Sequence, residues 1–269
     1  RDHMSPGNRK ALPRSGWWLI PSLIAAGAAV AWFTLDPGFR GSRSDATTAM
    51  ASDEFGRRVR DYLFEHPEVI MEAVGRLEAR NRSAEASEAQ TTLKARGDEV
   101  FRDPASPVGG NPTGDVTMVE FFDYNCPYCR RVANPMRETM AGDPNLRVVY
   151  KEIPILGPNS VLAAKAALAA HRQGRYVAFH EALMQAKGVA DEASALRVAA
   201  EIGLDVERLK ADMADAAIQS AIDRNLRLAQ ALRISGTPGF VIGDQILRGA
   251  TDAATLRRLV DKARNKPSP

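Results

Sequence analysis

Hydrophobic and polar positions follow three rhythms along this chain, and each predicts a different element. From Trp17 to Leu35 there is no alternation: nineteen residues pass without a charge. That length suffices for a helix to cross a bilayer. Arg9, Lys10 and Arg14 precede it, which orients its N-terminus to the cytoplasm, and Trp17, Trp18 and Trp32 near its ends suit interfacial belts. A cleaved signal peptide is the rival, with Ala26 and Ala28 as small cleavage-site residues. Its apolar region is usually only about 7–15 residues long, so the run favours an uncleaved anchor. The reading is a cytoplasmic leader over 1–15, a transmembrane anchor or signal segment over 16–35, and a Gly/Ser/Thr/Ala-rich flexible linker over 36–51.

A helical rhythm follows. Ser52 is a candidate N-cap, with Asp53 and Glu54 in the first turn. Phe55, Val59, Tyr62 and Leu63 recur at helical spacing, His66-Pro67 interrupts, and Val69, Ile70, Ala73, Val74 and Leu77 resume. Asn81–Arg96 remains helix-compatible but polar, with Leu93 nearly its only large apolar residue. These stripes predict a helical stalk over 52–97. So narrow a stripe needs a partner, either the domain that follows or another copy of the chain. A spacer and an oligomerisation region are both open.

Beyond residue 98 the rhythms mix. Val100–Pro112 is a Pro/Gly-rich lead-in. Val116–Phe122 and Leu146–Ile153 read as strands, with a helix between them that starts near Cys126 and kinks at Pro135. Five helical stretches occupy about 159–233, among them Asp191–Ile202, closed by Gly203, and one capped by Asp205. Gly239–Ile242 and Gln245–Arg248 flank a Gly243-Asp244 hairpin signal, and Thr251 is the candidate cap of a last helix. A βαβ half and a ββα half around a helical insertion predict an α/β sandwich on a mixed sheet over 98–269.

Charge narrows the function. The net charge is +3, and residues 1–15 carry all of it, so the body is neutral and offers no basic stripe for nucleic acid. Cysteine narrows it further. The only two, Cys126 and Cys129, flank Pro127 and Tyr128. A bridge that short closes almost no loop, and a zinc site would need two further ligands that His3, His66, His171 and His180 do not supply at zinc-like spacing. What remains is a redox dithiol on a strand-to-helix turn. A helix N-terminus favours an anion, so Cys126 is the attacking thiol and Cys129 the resolver. Pro127 suits the first helical turn. Tyr128 lacks the positive charge that would stabilise a thiolate, which argues for a weaker oxidant. Strand alternation puts Glu120 and Phe122 on one face and Phe121 on the other. A proton relay to Cys129 and an edge-strand glutamate are both open for Glu120. A cis Thr237–Pro238 bond would place its backbone beside the dithiol, but spacing alone does not establish one. His180, among Tyr176, Phe179 and Leu183, reads as a packed core histidine.

Val119-Glu-Phe-Phe-Asp-Tyr-Asn-Cys-Pro-Tyr-Cys129, the helical insertion and Gly236-Thr-Pro-Gly239 resemble the DsbA-type thioredoxin superfamily of bacterial thiol-disulfide oxidoreductases. Over 98–269 the resemblance implies a thioredoxin fold, a cis Pro238 and a buried Glu120 near the cysteines. Phe55–Met71 resembles the N-terminal region of the suppressor-of-copper-sensitivity C (ScsC-like) proteins. That group is periplasmic and linked to copper tolerance, and some members oligomerise through this region and isomerise disulfides. Thr237 before Pro238 is similar to the isomerases and reductases of the superfamily rather than to its strong oxidants.

The expectation is therefore a periplasmic disulfide isomerase or reductase tethered to the inner membrane, or secreted to the periplasm if the leader is cleaved. Cys126, Cys129 and Glu120 would be catalytic; Pro127, Tyr128, Thr237 and Pro238 would contact substrate. No cofactor is expected. The expected partners are cysteine-bearing protein substrates, a membrane redox protein and further copies of the chain. The alternatives are a DsbA-like dithiol oxidase and a copper(I) protein using the same cysteine pair, since thiolates favour that soft ion.

Overall fold

A computed structural model of the chain describes residues 42–265. The expected leader and membrane segment lie outside the described residues. Among the described residues no helix is long and apolar enough to cross a membrane.

The chain divides into two compact units, before and after Pro67–Glu68. In the first, helix α1 runs Ser42–Glu65. The linker expected over 36–51 is thus helical from Ser42 onward, and Ser52 lies within the helix rather than capping it. Gly41 is the last helix breaker before this stretch, and the residues that follow it contain neither Gly nor Pro until Gly56. Phe55, Val59, Tyr62 and Phe64 are exposed along α1.

The second unit opens with α2 (Glu68–Ala95). Its first half exposes Ile70, Met71, Val74 and Leu77, while Ala89 and Leu93 near its end are buried. Gln90 Nε2 donates to the Asp244 carbonyl at 2.8 Å, and Arg233 pairs with Glu88 at 2.7 Å. The end of α2 is therefore part of the domain. A short α3 (Gly97–Phe101) follows.

Five strands form one sheet in the order β1-β3-β2-β4-β5. They are β1 (Val108–Gly110), β2 (Val116–Phe122), β3 (Leu146–Glu152), β4 (Gly239–Ile242) and β5 (Gln245–Arg248). β2 and β3 are parallel and every other pair is antiparallel. β1 falls in the Pro/Gly-rich lead-in, where no strand is predicted. It exists because the outer edge of β3 takes up the backbone of residues 108–110. Gly110 is required there: its φ is +64°, and a Cβ would lie 2.4 Å from the Leu146 carbonyl oxygen.

Period-two alternation splits the core in two. Met118 and Phe122 of β2 and Val148 and Tyr150 of β3 face one side. That side packs against α4 (Pro127–Ala141), the insertion helices α5 (Pro158–Arg172), α6 (Tyr176–Gln185), α7 (Glu192–Glu201) and α8 (Val206–Met213), and the last helix α10 (Ala253–Arg264). Val119, Phe121 and Val149 face the other side, against Leu93, Val100 and the end of α9 (Ala216–Ala231). Lys151 is buried on that second side, where its Nζ donates to Asp103 and to the Glu99 carbonyl. Asp205 caps α8 as the pattern predicts, and Asp191 caps α7. The cap of α10 is Asp252, not Thr251: the Asp252 carboxylate reaches the Thr255 N–H at 2.7 Å.

Candidate active site

The turn from β2 into α4 carries the cysteines. Cys126 is the N-cap of α4, in extended conformation, and Pro127 takes the first helical position. Pro127 brings no N–H to leave unsatisfied there, and the helix presents its positive end to the Cys126 sulfur. Both thiols are free and buried. Cys129, one turn on, is fully enclosed, and burial pushes its thiol up, with the nearby Glu120 charge pushing it the same way.

Opposite lies the β4 approach. The Thr237–Pro238 peptide bond is cis, and the Cys126 Sγ donates to the Thr237 carbonyl at 3.3 Å. The sequence-predicted Cys126, Cys129, Thr237 and Pro238 thus meet at one point, although 111 residues separate Cys126 from Thr237. Tyr128 projects outward and is exposed, with the Arg131 guanidinium 5.1 Å from its ring centre. Arg130 donates instead to the carbonyls of Tyr124 and Ala186.

Glu120 is no edge glutamate. It sits in the middle of β2 between β3 and β4, opposite Tyr150 and Phe240, and is buried. With Cys129 it lines a narrow cleft of about 20 Å³, also bordered by Tyr150, His180 and Met136, room for about one water molecule. Burial, helped by the charge of Glu152, raises its pKa to about 8. His180 behaves as the packed residue its helix face suggests. Burial lowers its pKa to about 3, so it is neutral, and its Nδ1 pairs with the Tyr124 hydroxyl at 3.1 Å.

Two acidic residues at the site carry no signal that the reading of the sequence used. Asp123 is buried and holds the turn together. Its Oδ1 accepts from the Asn125 N–H and the Ser160 hydroxyl, both at 2.8 Å, and its Oδ2 from the N–H groups of Ile155 and Leu156 at 2.9 and 3.0 Å. Asn125 adds a two-way bond with the backbone of Ala190. These bonds fasten the backbone of Ile155, Leu156 and Ala190 to the dithiol turn, and the side chains of Ile155, Leu156, Val189 and Tyr128 are exposed. The second acid, Glu152, ends β3 on the Glu120 face. Asp-x-x-Cys before the helix, and the Val148-Tyr150-Glu152 alternation, were the available clues.

Among the described residues no group of three or more His, Cys, Asp and Glu side chains could hold a metal ion.

The model of the DSBA-like thioredoxin domain matches residues 117–261, more than half of the chain. The chain belongs to that family. The model of the copper resistance protein ScsC N-terminal domain matches residues 53–84, which makes it a DsbA-type, ScsC-like member. A thioredoxin-like oxidoreductase from Silicibacter pomeroyi is 50% identical, over 63% of this chain and 98% of its own, with a TM-score of 0.62. The catalytic domain of Proteus mirabilis ScsC is 31% identical, over 66% and 99%, with a TM-score of 0.61. A Na(+)/H(+) antiporter NhaA from Herminiimonas arsenicoxydans is 30% identical over 61% of this chain. The chain spans about a quarter of that relative (27%), and the transport its name states is a property of that whole protein.

Proposed function

We propose that this chain is a periplasmic protein thiol-disulfide oxidoreductase whose preferred activity is disulfide isomerisation or reduction. The observation that carries this is the meeting of the Cys126 sulfur, at a helix N-terminus, with the Thr237 carbonyl beside cis Pro238. A thiolate at Cys126 attacks a substrate disulfide. A mixed disulfide forms at Cys126 and one substrate sulfur leaves as a thiolate. In isomerisation that thiolate, or another on the substrate, attacks elsewhere and finally displaces Cys126. In reduction Cys129 attacks the Cys126 sulfur, the Cys126–Cys129 bond forms and the reduced substrate departs. A membrane redox protein then supplies two electrons to restore the dithiol. Glu120, which lines with Cys129 a cleft that holds about one water, takes the Cys129 proton. The exposed apolar side chains of Tyr128, Ile155, Leu156 and Val189 receive apolar stretches of unfolded substrate, which suits an enzyme that must engage misfolded chains. Tyr128 and Thr237 favour the isomerase or reductase over the oxidase. A part in copper tolerance follows from the same chemistry, as repair of disulfides formed by copper-driven oxidation.

Refolding of a scrambled multi-disulfide protein tests this. The reduced chain should accelerate recovery of native activity. Cys126→Ser should abolish the effect, and Cys129→Ser should accumulate a mixed disulfide visible by mass. Faster oxidation of a reduced substrate with no recovery of a scrambled one would move the assignment to a dithiol oxidase.

A further inference from the structure

Glu152 is a buried carboxyl that the chemistry above does not use. The parallel register pairs Glu120 with Tyr150 and Phe122 with Glu152. Both glutamates therefore point to the same side of the sheet on adjacent strands, two residues out of step, about 8 Å apart at Cα. Glu152 is 1% exposed. The Tyr176 hydroxyl donates to its Oε1, while its Oε2 is buried without a hydrogen-bond partner among the described residues. A carboxylate kept in such a place costs stability. If its purpose were only to fasten α6 to the sheet, a neutral acceptor would serve at lower cost.

The groups around it come from every element packed there. Glu120 stands on β2 and Tyr150 on β3; Tyr124 comes from the turn before α4 and Cys129 from α4 itself. Tyr176 and His180 are on α6, Glu181 of α6 and Arg137 of α4 line the cleft of Glu120, and His171 on α5 lies 6.0 Å from the Tyr176 ring. The tyrosines are held protonated by burial, and His180 is neutral. Lys151, next in the chain, is turned to the opposite side of the sheet and paired with Asp103. Burial raises both glutamates, Glu120 to about 8 and Glu152 to about 7, and the charge of Glu152 adds to the upward shift at Glu120.

We propose that Glu152 is a positioning residue for proton transfer at the dithiol: its carboxylate, held by Tyr176, sets the protonation state of Glu120, and through Glu120 the pH at which Cys129 gives up its proton. This rests on Glu120 acting as the relay. In the resolving step the Cys129 proton passes to the Glu120 carboxylate as the Cys129 sulfur attacks the Cys126 sulfur. The bond from Cys126 to the substrate sulfur breaks, and the substrate leaves as a thiolate that takes a proton from water. Over mixed-disulfide formation and resolution together the two cysteines lose two electrons, which the two substrate sulfurs gain. An ionised Glu152 makes the Glu120 carboxylate scarcer at neutral pH, so it moves the alkaline rise of this step upward.

Carbon-13 NMR of the glutamate carboxyls in the reduced, full chain reads the Glu120 midpoint directly. Glu152→Gln should lower it by roughly 0.5 pH unit or more, as loss of a nearby like charge requires. Tyr176→Phe removes the hydrogen bond that favours the ionised form of Glu152, so it should lower the midpoint in the same direction by less, and serves if Glu152→Gln does not fold. Glu152→Asp should keep the midpoint close to that of the unmodified chain. Stopped-flow measurement of mixed-disulfide resolution against pH is the second readout. Its alkaline rise should follow the carboxyl midpoint in Glu152→Gln and vanish in Glu120→Gln. An unmoved Glu120 midpoint in folded Glu152→Gln or Tyr176→Phe overturns the proposal, as does a kinetic rise that stays in place while the midpoint moves. Persistence of the rise in Glu120→Gln instead removes the relay itself, whatever the carboxyl midpoints do.

Discussion

At the scale of single residues, the site combines side chains whose neutral forms the fold prefers, and the signs of those preferences predict its pH behaviour. Glu120 has its pKa raised from 4.5 to about 8. The stability linked to its neutral form is present in full below about 4.5 and is lost as pH rises through about 8. His180 has its pKa lowered from 6.5 to about 3. Its contribution is present above about 6.5 and is lost as pH falls through about 3. Urea denaturation of the reduced protein checks both. Glu120→Gln should gain on the unmodified chain by on the order of 3 kcal/mol at pH 9 relative to pH 5. His180→Gln should lose part of the acid sensitivity between pH 6 and 4. An advantage of Glu120→Gln that does not change with pH would mean that Glu120 is ionised in the folded protein throughout.

At the scale of elements, the strand-to-helix turn is a clamp with Asp123 at its centre. One carboxylate accepts four hydrogen bonds, from Asn125, Ile155, Leu156 and Ser160. It thereby joins the dithiol turn to the loop that leads from β3 into α5. Asp123→Ala should destabilise the domain by about 3 kcal/mol, since buried donors would be left unpaired. Amide exchange at Ile155 and Leu156 should quicken well beyond the rest of β3. Equal protection in the variant would show that the loop does not depend on the clamp. Much of this region was legible beforehand. Period two in Val116–Phe122 placed Glu120 with Phe122, and Pro127 marked the start of α4. Cys126 and Cys129 were named because a cysteine pair carries its chemistry in its identity, whereas Thr237 and Pro238 came from the DsbA-type resemblance, since spacing alone does not establish a cis bond. Asp123 and Glu152 were not, because acidic residues at strand ends are ordinarily solvated. Only the register of β2 on β3, and the cover that α6 supplies, turns Glu152 inward. The short β1 was hidden for a related reason: Val108-Gly-Gly110 has no strand signal of its own and is recruited by a neighbour.

At the scale of the whole molecule, α2 has two halves with different surroundings, and this decides how its role can be tested. Its end belongs to the catalytic unit through Leu93, Gln90 and Glu88. A cut at residue 97 would therefore damage the core and mix two effects. Its beginning carries an apolar stripe at Ile70, Val74 and Leu77, spaced four and then three residues apart, with 49%, 43% and 55% of these side chains exposed. Met71 beside them is 71% exposed. Helical stripes of this kind are stable when a second stripe covers them, and the match of residues 53–84 to the ScsC N-terminal domain supports the proposal that another copy of the chain does so. Leu77→Glu together with Val74→Glu places like charges on every copy of such a seam without touching the buried end of α2. Sedimentation should show a fall in native mass toward that of one chain. Oxidation of a small dithiol, which needs only Cys126 and Cys129, should continue at an unchanged rate. Recovery of a scrambled protein should fall at least several-fold, because isomerisation gains from several dithiols facing one substrate, an advantage of effective concentration. If the mass does not change, the stripe is not the seam; if the mass falls and isomerisation persists, a single dithiol is sufficient and the stalk serves another purpose.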